Sequence, residues 1–80
     1  MNIQLIKGDF TPTEAIDILT GMVNVKIKFH ERKIAGTDSE EDIKMRERRI
    51  RQLQQSLHEA RQLMLAKEKH CTLTADILIG

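Results

Sequence analysis

Only a few side chains in this chain are of types that could do chemistry. The soft metal ligands are His30, His58, His70 and Cys71. In a helical hairpin turning near Gly36, His30 lies about seven residues from the turn and His58 about twenty-one, so at ~1.5 Å of rise per residue they stand roughly 20 Å apart. They cannot share an ion within one chain. His70 and Cys71 are adjacent and have no partners at metal-ligand spacing. A thiol nucleophile needs a base within hydrogen-bond reach, but neighbours in a strand point to opposite faces. Cys71 falls on the apolar face of its segment and reads as a small buried residue. Gly8, Gly21, Gly36 and Gly80 are isolated, so no phosphate-cradling loop is present. The expectation is no catalytic residue, no metal and no cofactor.

The remaining chemical candidate is electrostatic. Lys44, Arg46, Arg48, Arg49 and Arg51 place five cations within eight residues. Such a run can contact phosphates, with an affinity that falls steeply with salt. The cations scatter around a helix axis, however, and do not form one stripe. Glu40–Lys44, Asp42–Arg46 and Glu47–Arg51 are acid-before-base pairs at i,i+4, as on a solvated helix. The only aromatic residues are Phe10 and Phe29, so no stacking platform for bases is expected. The net charge of +1 does not by itself call for an anionic partner. Nucleic acid binding through this segment is the alternative reading.

The elements that would position these residues begin with a seam. Ile43, Ile50, Leu57 and Met64 recur every seven residues, with Leu53 and Ala60 three after the second and third. This is an a/d stripe on an otherwise charged helix, which needs a partner helix. Upstream, Thr11-Pro12-Thr13-Glu14 holds a capping box with proline at the first helical position, and Phe10 is placed to staple onto Ala15 or Ile16. From there two readings compete. Val23, Val25, Ile27 and Phe29 alternate as a strand would, whereas one polar arc of Asp17, Thr20, Gly21, Asn24, Lys28, Glu31 and Arg32 runs along a helix. The continuous arc favours a helix over 12–35. Gly36 suits a left-handed helix end. Thr37, Asp38 or Ser39 caps a second helix over 39–69. Residues 2–7 and 72–79 alternate as strands, with Gly8 and Asp9 breaking the first.

The expected fold is mainly α: an antiparallel two-helix hairpin flanked by short N- and C-terminal strands, β-α-α-β, one domain over 1–80. No apolar run approaches the roughly 20 residues of a membrane span. The start does not read as a signal peptide, and a single cysteine suits a reducing cytoplasm.

The apolar arc of the first helix is wider than one partner helix covers. Ile16, Val23, Ile27 and Ile34 form one edge; Ile18, Met22, Val25 and Phe29 form the other. The first edge can meet the seam. The second must meet the terminal strands, a second copy or both. A homo-oligomer is expected, a symmetric dimer with four helices first, or else an unidentified protein partner.

The segment Phe10–Ile34, with Phe10-Thr11 leading to Glu14-Ala15 and then Lys26-Ile27-Lys28-Phe29-His30, resembles small bacterial proteins of unknown function that carry an F-[ST]-x-x-E-A opening, a K-I-x-F-H stretch and a second charged helix. The resemblance implies a first helix continuous through Phe29. It implies no activity.

Overall fold

The computed structural model describes all residues from Met1 to Gly80. The element order is β1 (Asn2–Phe10), α1 (Pro12–Ala35), α2 (Glu40–Leu65) and β2 (Cys71–Leu78). The β-α-α-β order and the single first helix agree with the sequence reading.

Both helices are started by side chains. Glu14 N–H donates to Thr11 Oγ1 at 3.2 Å, and Thr11 N–H donates to Glu14 Oε1 at 2.9 Å. Pro12 fills the first turn, where no helical amide bond is lost. The Thr11 backbone and side-chain bonds hold the Glu14 carboxyl below its ordinary value of 4.5. A depressed folded-state pKa stabilises the fold above the unfolded value, and that contribution disappears as pH falls through the folded one. Thr11→Ala is expected to cost about 1 kcal/mol in thermal unfolding at neutral pH. The difference from the parent should shrink as pH falls through the lowered folded-state value and Glu14 takes up its proton; an equal difference at all pH values would exclude the reciprocal bond.

At the start of α2, Ser39 is the cap among the three candidates, its hydroxyl accepting from Asp42 N–H at 3.3 Å. Thr37 instead accepts from Ser39 N–H within the loop.

Four sequence expectations need correction. Gly36 is not left-handed: its φ is −98°. Its N–H bonds back to the carbonyls of Arg32 and Lys33, so the helix ends by tightening its last turn. The second helix starts at Glu40 and stops at Leu65, not at 69. The next seam position after Ala60 and Met64 is Lys67, which gives the stripe nothing to bury. β2 covers Cys71–Leu78, one residue earlier than expected.

The fourth correction concerns β1. It does not break at Gly8 and Asp9 but continues to Phe10, with Gly8, Asp9 and Phe10 opposite Leu73, Thr72 and Cys71 in an antiparallel ladder. Thr72 Oγ1 donates to Asp9 Oδ1 at 2.7 Å and helps hold this end. The register shifts between Gln4 and Ile6, leaving Leu5 without a partner. This bulge resets the pleat. Ile3 and Ile6 then share a face with Gly8 and Phe10, which a regular strand cannot achieve.

The core sits where the ribbon meets the hairpin. Ala15, Met64 and Cys71 are its buried apolar residues, with Phe10, Ile16, Leu19, Ala60 and Leu73 packed around them. Only one further residue in the chain is buried, His30. The molecule measures 47 × 32 × 13 Å. Its thinnest dimension leaves little room for an interior, and only four of its residues are buried.

Candidate functional site

The first candidate is the outer edge of α1. Val25 is 68% exposed, Phe29 43% and Met22 38%. Ile18 is half-buried and lines a shallow groove with Leu5, Ile6, Phe10 and Met22. The bulge therefore brings Leu5, itself half-exposed, into line with this edge. The opposite edge behaves differently: Ile16, Val23, Ile27 and Ile34 are all partly covered, as are Ile43, Ile50, Leu53 and Leu57 along the α2 seam. One edge of α1 thus serves the hairpin and the other is left open. Further apolar side chains stand exposed at the far end of the ribbon, Ile3, Ile77, Leu78 and Ile79, and on α2, Met45, Leu63 and Leu65.

The second candidate lies in the seam itself. His30 on α1 is 8% exposed. Arg46 on α2 reaches it, Nη1 standing 3.1 Å from His30 Nδ1. A guanidinium only donates, so Nδ1 must accept and the proton of a neutral ring sits on Nε2. That N–H is buried and has no partner. Such an orphan costs about 1–3 kcal/mol. Arg46 is held from behind by Asp42, with 3.4 Å from Nε to the carboxylate, the structure's single salt bridge. Phe29 roofs the arrangement. Its ring meets His30 edge-on at 5.7 Å, and Lys33 Nζ and the Arg46 guanidinium lie over it at 5.6 and 5.8 Å.

The five clustered cations of α2, Lys44 to Arg51, diverge. Arg46 turns inward. Arg48 and Arg51 border a polar surface with Gln52, Gln55 and Ser56. Arg49 borders a hollow between the helices together with Lys26 and His30. Lys44 is exposed. Lys44, Arg48 and Arg51 share one outer face by helical spacing, but Arg46 and Arg49 do not join it.

No protein family matches the chain, and no curated protein or solved structure matches it either.

His58 and His70 are exposed, and His58 Nε2 meets only the Gln62 amide at 3.2 Å. No three His, Cys, Asp or Glu side chains come close enough to hold a metal ion. Cys71 is buried, its thiol donating to the Met64 carbonyl at 3.8 Å. No helix is long and apolar enough to cross a membrane. The sequence reading named His30 as a soft metal ligand and missed its tie to Arg46. The signal was present: counting back seven from Leu53 puts Arg46 at a seam position, where a cation needs a partner.

Proposed function

We propose that this protein is a non-enzymatic, self-associating helical-hairpin module that works as a homodimer in a reducing compartment such as the cytoplasm. The observation that carries this is surface. A folded monomer of 9.2 kDa is expected to expose about 4,900 Å², whereas this chain exposes 6327 Å². The surplus, roughly 1,400 Å², exceeds the ~800 Å² that each partner buries in a standard interface. Its radius of gyration, 15.1 Å, likewise exceeds the ~12 Å of a compact chain this long. A second copy covers this surplus, and a twofold axis places Ile18, Met22, Val25 and Phe29 against their own equivalents. Two hairpins facing in this way make a four-helix arrangement.

Light scattering at micromolar concentration tests the reading. The expected mass is about twice 9.2 kDa, with an unfolding midpoint that rises with protein concentration. A chain-mass particle with a concentration-independent midpoint would overturn it. The nucleic-acid reading has less behind it, because Arg46 is engaged inside the hairpin and Arg49 borders the hollow between the helices, which leaves Lys44, Arg48 and Arg51 on the outer face.

A further inference from the structure

We propose that the free edge of β2 pairs antiparallel with β2 of a second copy across a twofold axis, joining two ribbons into one four-stranded sheet. The sheet of a single chain has only two strands, so β2 keeps an open side. Met1 and Ile79 exchange backbone bonds, Met1 N donating to the Ile79 carbonyl at 3.0 Å and Ile79 N–H to the Met1 carbonyl at 2.7 Å. Bonding alternates along an antiparallel strand, and the bulge lies in β1, not β2. Cys71, Leu73, Ala75 and Ile77 therefore turn their backbone groups to β1. Thr72, Thr74, Asp76 and Leu78 turn theirs to the open side, where no other part of the chain bonds to them. The edge of β1 is protected: it carries the bulge at Leu5, followed by Lys7. Bulges, lysines and prolines are what guard edge strands, and β2 has none of them.

A hollow of about 440 Å³ runs along this open side. Cys71, Thr72 and Leu73 line it with Ala60, Leu63 and Met64 of α2, and no β1 residue does. Successive strand residues face opposite ways, so these three share a hollow only if it lies beside the strand edge away from β1. The sequence of β2 fits itself there. A twofold axis through a residue, not between two, keeps the apolar residues of both copies on one face. An axis at Asp76 would set two carboxylates opposite each other, and one at Leu73 shortens the ladder. At Thr74 or Ala75, Asp76 meets a threonine of the second copy. The second copy's Ile77, 43% exposed in one chain, then comes opposite Cys71 or Leu73, where the hollow and the exposed Leu63 lie. This contact is separate from the outer edge of α1 and does not depend on it. A strand edge buries less than a standard interface, so pairing is expected at about 0.1–1 mM.

The test is nuclear magnetic resonance on the full-length chain at about 1 mM, with isotope-labelled and unlabelled protein mixed. Nuclear Overhauser contacts between labelled and unlabelled β2 strands are expected, together with amide exchange at Thr74 and Asp76 that slows as concentration rises. Thr74→Pro removes an outward N–H and no bond to β1, and should abolish both signals. Thr74→Lys combined with Asp76→Lys sets like charges against each other about either axis and should do the same without touching the backbone. Asn2→Lys combined with Gln4→Lys adds two lysines to β1 instead and should leave the contacts in place. Scattering mass at micromolar concentration reads the α1 contact separately and should match the parent's in all three variants. No contact between β2 strands at about 1 mM, its survival in the folded Thr74→Lys/Asp76→Lys chain, or an equal loss from the β1 lysines would each overturn the proposal.

Discussion

Val25→Glu should turn the proposed dimer into a monomer while leaving both helices formed. Val25 is 68% exposed in the single chain, so the change removes almost no contact within it. Across a twofold interface the same position counts twice. Uncovering one apolar side chain of this size forgoes about 1.5–3 kcal/mol, hence roughly 3–6 kcal/mol per dimer, before the cost of burying two carboxylates without partners. Dissociation should therefore strengthen by a factor on the order of a thousand or more. Phe29→Glu should act in the same direction but less cleanly. Its ring also touches His30, Lys33 and Arg46 within the chain, so its loss disturbs the hairpin, and the new carboxylate would sit beside two cations. Asn24→Glu, on the polar arc, is the control and should keep the parent's mass. Scattering mass and far-ultraviolet dichroism read the outcome. If Val25→Glu and Phe29→Glu both retain the parent's mass, the contact face lies elsewhere, and the exposed ribbon end at Ile77 and Leu78 becomes the next surface to vary.

The sequence disclosed most of the fold because its strongest signals are local. The capping box at Thr11 and Glu14 needs four residues to be read, and the seam from Ile43 to Met64 needs only a period. Strand limits were harder, since β1 is held by what lies opposite it. Gly8 and Asp9 look like a break, yet Leu73 and Thr72 pair with them. The bulge at Leu5 escaped for a related reason. Ile3 and Ile6 are both apolar and three apart, an odd spacing that only a shifted register reconciles with one face. The open edge of α1 was legible as surplus width. The contact of His30 with Arg46 links residues sixteen apart, and its cue was a cation at a seam position. The hollow beside them depends on how two helices meet, which periodicity does not report.

Met64→Ala should destabilise the fold more than any exposed substitution, by about 2–5 kcal/mol. Met64 is 5% exposed and joins Ala15 and Cys71 in a core of three buried apolar residues. With so few, each one carries a large share of the roughly 5–15 kcal/mol expected for a small domain. The position also ties three elements together: its side chain meets α1 through Ala15, and its carbonyl accepts the Cys71 thiol at the start of β2. Truncation leaves a void at the junction of ribbon and hairpin, where Phe10 and Leu73 are already held by neighbouring strands and have little freedom to fill it. The next residue gives the contrast. Leu65 is 68% exposed, and Leu65→Ala should stay within about 0.5 kcal/mol. Denaturant unfolding of both variants at one protein concentration, required because the stability of the proposed dimer would depend on concentration, measures the difference. Equal losses at 64 and 65 would mean that α2 is rotated from the register described, with Leu65 turned inward. A large loss at 64 alone would place the core at the root of the ribbon. In that case the hairpin tip, around Phe29 and Arg46, would depend for much of its stability on the partner chain.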